Sequence, residues 1–176
     1  MHSLYLSYVT HRFGGGMVNL IAIVDSTGGI GRAGQQIIYI PDDLHHFRQL
    51  TYGHTIVVGH KTLITFPHGQ PLPGRRNIVL SHNKDLVVPN SEIVHNVDSL
   101  LAVVDKDTFV VGGAKVYRQL LPYCDTAYLT QIFADLRADT FLPGYQDIRQ
   151  TWKLQKVSNT LSYDNLSFQY QIWCRL

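Results

Sequence analysis

Four short stretches of this 176-residue chain carry side chains able to do chemistry. In FVVGGAKVYRQLL an apolar run ends at Gly112-Gly113, and a helical pattern opens at Ala114. Paired glycines let a backbone approach an anion closely, and the first turn of a helix offers unpaired N–H groups. A tight strand-to-helix turn without a ligand uses the same residues, and the spacing leaves both readings open. In IVVGHKTL, Gly59 closes a second apolar run and is followed by His60, Lys61 and Thr62. Those side chains suit a phosphate, or equally a solvated loop. The third stretch is Asp42-Asp43, just after Pro41. Acids in a first helical turn serve the cap and the dipole. Asp43, however, lies four residues before Phe47 and shares its apolar face, whereas Asp42 points outward. A carboxylate turned into an apolar cleft holds its proton to higher pH and can relay it near neutrality. Asp43 is therefore the acid–base candidate of the pair. The fourth stretch, PLPGRRN (71–77), places two arginines after a turn; one could clamp a carboxylate, or both could decorate a basic turn.

The elements that hold these residues follow from periodicity. The run VNLIAIV (18–24) has the continuous apolar character of a strand buried on both faces. Residues 42–51 carry Leu44, Phe47 and Leu50 on one helical face behind a starting proline. Further strands are expected over 55–58, 77–80, 108–111, 127–132, 154–158 and 167–174, and helices over 97–104 and 114–121. The alternation gives an α/β fold with a mostly parallel sheet and antiparallel strands added late. Residues 1–16 end in a glycine triplet and are expected to form a flexible N-terminal extension, with one domain spanning 17–176.

Composition narrows the function class. Hydrophobic residues make up 45% of the chain, enough for a real core, and charged residues only 16%. A net charge of +2 gives no field suited to nucleic acid, and no apolar run reaches the length of a membrane span. Cys124 and Cys174 are the only thiols, and none of the nine histidines is spaced with them as a metal ligand. The expectation is a cytoplasmic protein without metal, nucleic-acid or membrane partners.

Taken in order, LIAIV (20–24), IG (30–31), IPDDLHHFR (40–48), VVGHKT (57–62), PLPGRRNIVLSHN (71–83), VVGGAKVY (110–117), LTQI (129–132) and ADTFLP (138–143) resemble dihydrofolate reductases of the bacterial chromosomal type. The resemblance covers essentially all of 17–176. It implies a single domain built on an eight-stranded, mostly parallel sheet with flanking helices, binding NADPH and dihydrofolate in one cleft and open to antifolates, as a monomer.

It also assigns roles by position. Asp43 would be the sole ionisable group of the pterin pocket, promoting protonation at N5, with Thr130 hydrogen-bonded to it. The main chain of Ile21 and Val111 would face the pterin edge. Ala22, Ile23, Leu44, Phe47, Thr65, Phe66, Leu72 and Tyr117 would line the pocket, and Arg75 would clamp the substrate's glutamate α-carboxylate. Gly112, Gly113, Ala114, Lys115, Lys61 and Thr62 would cradle the cofactor diphosphate, with Gly59, Leu80, Val111 and Val116 beside them. His60, Ser81 and His82 would hold the 2′-phosphate, and Ala22, Ile30 and Gly31 would edge the nicotinamide.

Three features depart from the family pattern. Ile37-Ile38 replace a Pro-Trp pair, His60 replaces an arginine, and 65–70 is slightly long. Two rival readings are a pyrimidine reductase of flavin synthesis on the same fold and a non-catalytic folate or nucleotide binder. Asp43 on its helix, Thr130 and Arg75 argue against both.

Overall fold

A computed structural model describes residues 18–105 and 107–176; the expected extension at 1–16 lies outside the described residues. The chain runs β1 (Val18–Val24), β2 (Gly29–Arg32), β3 (Gln35–Gln36), α1 (Pro41–Thr51), β4 (Thr55–Gly59), α2 (His60–Leu63), β5 (Arg76–Leu80), β6 (Glu92–Val94) and α3 (Val97–Leu101). It continues through β7 (Thr108–Gly112), α4 (Ala114–Leu120), β8 (Thr126–Ile132), β9 (Thr140–Phe141), α5 (Tyr145–Thr151), β10 (Lys153–Val157), β11 (Leu161–Tyr163) and β12 (Leu166–Cys174).

The main sheet follows the path β10-β12-β8-β1-β7-β4-β5-β6, eight strands, with β11 folded back on β12 as a ninth. From β8 to β6 all pairings are parallel, and β12 joins β8 and β10 antiparallel. This is the expected α/β architecture. The short β2, β3 and β9, which pair in a separate three-stranded sheet, and the short β6 and α5 were not legible from periodicity. Elements of two to seven residues are too brief to show a period.

Strand parity divides the core. Val18, Leu20 and Val24 of β1, Val110 of β7 and Ala127 and Leu129 of β8 pack on one face with Leu120, Ile148 and Trp173. The opposite face presents Ile21, Ile56 and Phe109 to Phe47 and Leu50 of α1. The central strands β1, β4, β7 and β8 are thus buried on both sides, as the unbroken apolar run of β1 demands. Strand β7 lies between β1 and β4, so the carboxyl ends of these three open side by side. That is where an open parallel sheet offers a crevice.

Candidate active site

Helix α1 is set by Pro41 at its first turn and by Ile40, which is buried just before it. No side chain caps this N-terminus, so the capping role open to the acid pair is not used. Asp42 is exposed and Asp43 buried, as the helical face requires. Thr130 Oγ1, on β8, donates to Asp43 Oδ1 at 2.5 Å. Burial pushes the Asp43 carboxyl above its ordinary value, and the Thr130 hydrogen bond opposes that only in part. Asp43 is thus biased to hold a proton nearer neutrality than a free aspartate.

The carboxylate sits in a cleft of about 1500 Å³ that reaches from α1 across the strand ends to the α4 junction. Every site residue singled out in the sequence lines this cleft, from Asp43, Thr130 and Arg75 to the glycine junctions and His60, Ser81 and His82. Residues as far apart as Ile21 and Tyr117 meet there, the Tyr117 hydroxyl donating to the Ile21 carbonyl at 2.7 Å. That phenol is fully desolvated, which holds its pKa well above the ordinary value and keeps it a donor.

The two glycine junctions face each other. Gly112 has φ 120°, a conformation suited to glycine, and is joined to Gly113 by a cis peptide. A Cβ on Gly113 would lie 2.7 Å from Thr62 Oγ1, and one on Gly59 would lie 3.0 Å from Val116 Cγ2. Side chains here would fill the space between α2 and α4. The bare backbone leaves an open cradle whose wall also carries Lys61 and Lys115.

At the other end, Arg75 is positioned rather than solvated. Its Nε donates to Thr51 Oγ1 and its Nη1 to the Pro73 carbonyl, both at 2.8 Å. The guanidinium also lies 5.8 Å from the Phe47 ring centroid. Arg76 instead turns its fork to Glu92, Nε and Nη2 each donating to a carboxylate oxygen at 2.8 Å. Among the described residues Arg75 meets no carboxylate, which leaves its charge for a ligand.

The loop after β1 is fixed by a residue that sequence reasoning passed over. Asp25 is fully buried and accepts from Thr27 N, Thr27 Oγ1 and Gly29 N on one oxygen and from Leu136 N on the other. Burial alone would raise its pKa, but these four hydrogen bonds outweigh it and hold the carboxyl low. The Asp139 carboxylate accepts from Ala33 N at 2.8 Å. Ile30 and Gly31, between these ties, edge the cleft. Ile37 and Ile38 turn inward onto Ile23, Ile40, Ile132 and Phe168. The slightly long stretch at 65–70 forms a single 3-10 turn, Pro67–Gly69, that leaves Thr65 and Phe66 in the wall.

Beyond the residues the sequence singles out, the cleft wall carries further ionisable groups. His46 and Tyr170 line it too, with rings stacked 3.8 Å apart. His46 stands three residues beyond Asp43 on α1, a spacing that helical geometry already places on one side. Tyr170 needs the pairing of β12 with β8, where it faces Thr130.

Comparison with known proteins agrees with this geometry. The dihydrofolate reductase family model matches residues 17–175. Dihydrofolate reductase of Mycobacterium tuberculosis is 40% identical over 138 residues, covering 78% of this chain and 84% of the relative. That of Bacillus subtilis is 32% identical over 157 residues, covering 88% and 91%. The solved structure of the Enterococcus faecalis enzyme, complexed with NADP(H) and RAB-propyl, superposes with a TM-score of 0.81 at 31% identity over 91% of this chain and 96% of that one. A buried acid on α1, a glycine cradle facing it across the strand ends and this likeness along the whole described chain have one reading: the chain belongs to the dihydrofolate reductase family.

Proposed function

We propose that the chain reduces 7,8-dihydrofolate to 5,6,7,8-tetrahydrofolate with NADPH, a hydride reaching C6 and a proton N5 of the pterin. The observation that carries this reading is Asp43, buried at one end of the cleft on a single hydroxyl bond, with the glycine cradle at the other. The rival pyrimidine reductases share the glycine turn but not a helix-borne acid backed by Leu44 and Phe47 together with PLPGR, and this chain has both.

The cofactor supplies the hydride when bound; the chain binds, orients and excludes water. Gly112, Gly113, Ala114, Lys115, Lys61 and Thr62, which line the cleft, would hold the diphosphate, and His60, Ser81 and His82 the 2′-phosphate. Asp43 would pair with N3 and the 2-amino group of the pterin, where two parallel hydrogen bonds fix the ring. Thr130 holds the carboxylate in that orientation. Ile21, Ala22, Ile23, Leu44, Phe47, Phe66 and Leu72 give an apolar enclosure, which strengthens the ionic pair and keeps bulk water from the reacting carbon. Arg75 would take the glutamate α-carboxylate, and Tyr117 braces the Ile21 carbonyl at the pterin edge.

The cleft is complete within one chain, which supports a monomer; a cytoplasmic location is part of the same proposal, and no described helix is long and apolar enough to cross a membrane. Sedimentation and cell fractionation test those two points. Loss of NADPH absorbance on adding dihydrofolate tests the activity. No oxidation with dihydrofolate, alongside oxidation with a ribosylated pyrimidine, would transfer the chain to the rival reductase.

A further inference from the structure

Each turnover takes up a proton as well as a hydride, and the cleft's mouth is where substrate and cofactor would sit. The structure contains a second approach. An outer pocket of about 280 Å³ lies against α1 and is lined by Asp42, His45, His46, Gln49, Leu161 and Tyr170. Two of these, His46 and Tyr170, also line the main cleft. Their rings are stacked with centroids 3.8 Å apart and planes 25° from parallel. The stacked pair is therefore the partition between solvent-side polar groups and the Asp43 end of the cleft. The field at Tyr170 says the same, since after burial both Asp43 and Asp42 push its hydroxyl up, to about 12. One carboxylate acts from inside the partition and one from outside.

We propose that His46 is a positioning residue for the proton: it passes protons from the outer pocket, through the partition, to the Asp43 end of the site. This rests on the dihydrofolate reductase reading above. A neutral imidazole has one N–H and one lone pair, so it accepts a proton on one nitrogen while releasing the other's. The released proton goes through the Asp43 carboxyl or a water on it to N5, forming the N5–H bond. The imidazole returns neutral with its tautomer exchanged, and ring rotation or a second exchange resets it. No electrons move along this route; those arrive with the hydride.

The surroundings favour a neutral ring. Burial first, and then the neighbouring His45, hold the His46 pKa below the ordinary imidazole range. The polar and charged groups lining the two pockets on either side of it include Asp42, Asp43 and His45 on α1, Tyr170 on β12, Thr130 on β8, Lys156 of β10 and Ser158, with apolar Leu161 on β11. The outer pocket is roomy and polar enough to hold water.

The test compares wild type, His46→Phe and His46→Ala in single-turnover hydride transfer across pH, with NADPH affinity measured separately. Phe keeps the stack on Tyr170 and removes the relay. We expect a slowing of about 3–10-fold at neutral pH, less than the 100-fold or more of losing a direct acid. The slowing should fade at low pH, the solvent isotope effect should grow, and NADPH affinity should stay unchanged. Added imidazole should restore the rate of His46→Ala and leave wild type unaffected. A His46→Phe profile superimposed on wild type overturns the proposal; if that variant does not fold, failure of imidazole to rescue His46→Ala does so. Nitrogen NMR of the free protein gives a readout apart from activity, with a neutral ring expected at pH 7 and a doubly protonated one overturning the relay. If wild type oxidises no NADPH with dihydrofolate, the functional reading has failed, and the NMR result alone then decides the state of the ring.

Discussion

Replacing Asp43 by asparagine should trade activity for stability. The carboxylate is 7% exposed, and Thr130 is its one hydrogen-bond donor among the described residues. A charge held there by one hydroxyl is under-compensated, which is why burial raises its pKa. Asparagine is nearly the same shape, keeps an oxygen for Thr130 and carries no charge. Relief of that desolvation is worth about 1–2 kcal/mol at neutral pH. At about 2–4 °C per kcal/mol for a domain of this size, Tm should rise by roughly 2–8 °C. The sign follows from linkage. With the folded pKa raised, the native state binds the extra proton, so wild-type stability falls as pH rises from 3.8 through the folded value and stays lower above it. The gain of Asp43→Asn should therefore be present at pH 7 and vanish below 3.8. Turnover should move the other way, falling about 100-fold or more at pH 7 and recovering toward acid as solvent protonates the substrate. Paired thermal melts and dihydrofolate turnover across pH read both effects. Wild-type turnover at pH 7 would reduce Asp43 to a first-turn acid, and a lowered Tm there would refute the desolvation argument.

Thr130→Val removes the bond that opposes the burial effect, so the step of the kcat/KM profile that reports Asp43 should move to higher pH, with turnover reduced about tenfold at neutrality. Arg75→Leu should raise the KM for dihydrofolate about 30–100-fold with little change in kcat, while a pterin substrate lacking the glutamate is unaffected. Equal losses for both substrates would remove Arg75 from carboxylate binding. Gly113→Ala places a methyl 2.7 Å from Thr62 Oγ1 and should weaken NADPH binding, read by fluorescence titration, far more than folate binding.

Some of this molecule could be read directly from the chain. Local rules suffice where a function is carried by neighbours in sequence: Gly112-Gly113 ends an apolar strand and opens a helix, and the three-to-four-residue spacing around Asp43 turns it to the Phe47 face while Asp42 looks out. The parity of VNLIAIV requires a strand buried on both faces, and the packing of Leu20 on one side and Ile21 on the other fulfils it. Resemblance to the family supplied the remaining residue roles, which no spacing in this chain expresses. Other features exist only once the sheet is assembled. Thr130 reaches Asp43 because β8 lies beside β1, and Tyr170 meets His46 because β12 inserts between β8 and β10. Asp25 gains its meaning from the Leu136 amide, over a hundred positions away. Its neighbourhood in sequence marks only a turn. The burial that raises the Asp43 pKa is likewise a property of the closed cleft, since desolvation sums over every wall at once. Sequence determines which groups face the same way along one element; which groups then share a dielectric is decided by the packing of elements distant in the chain.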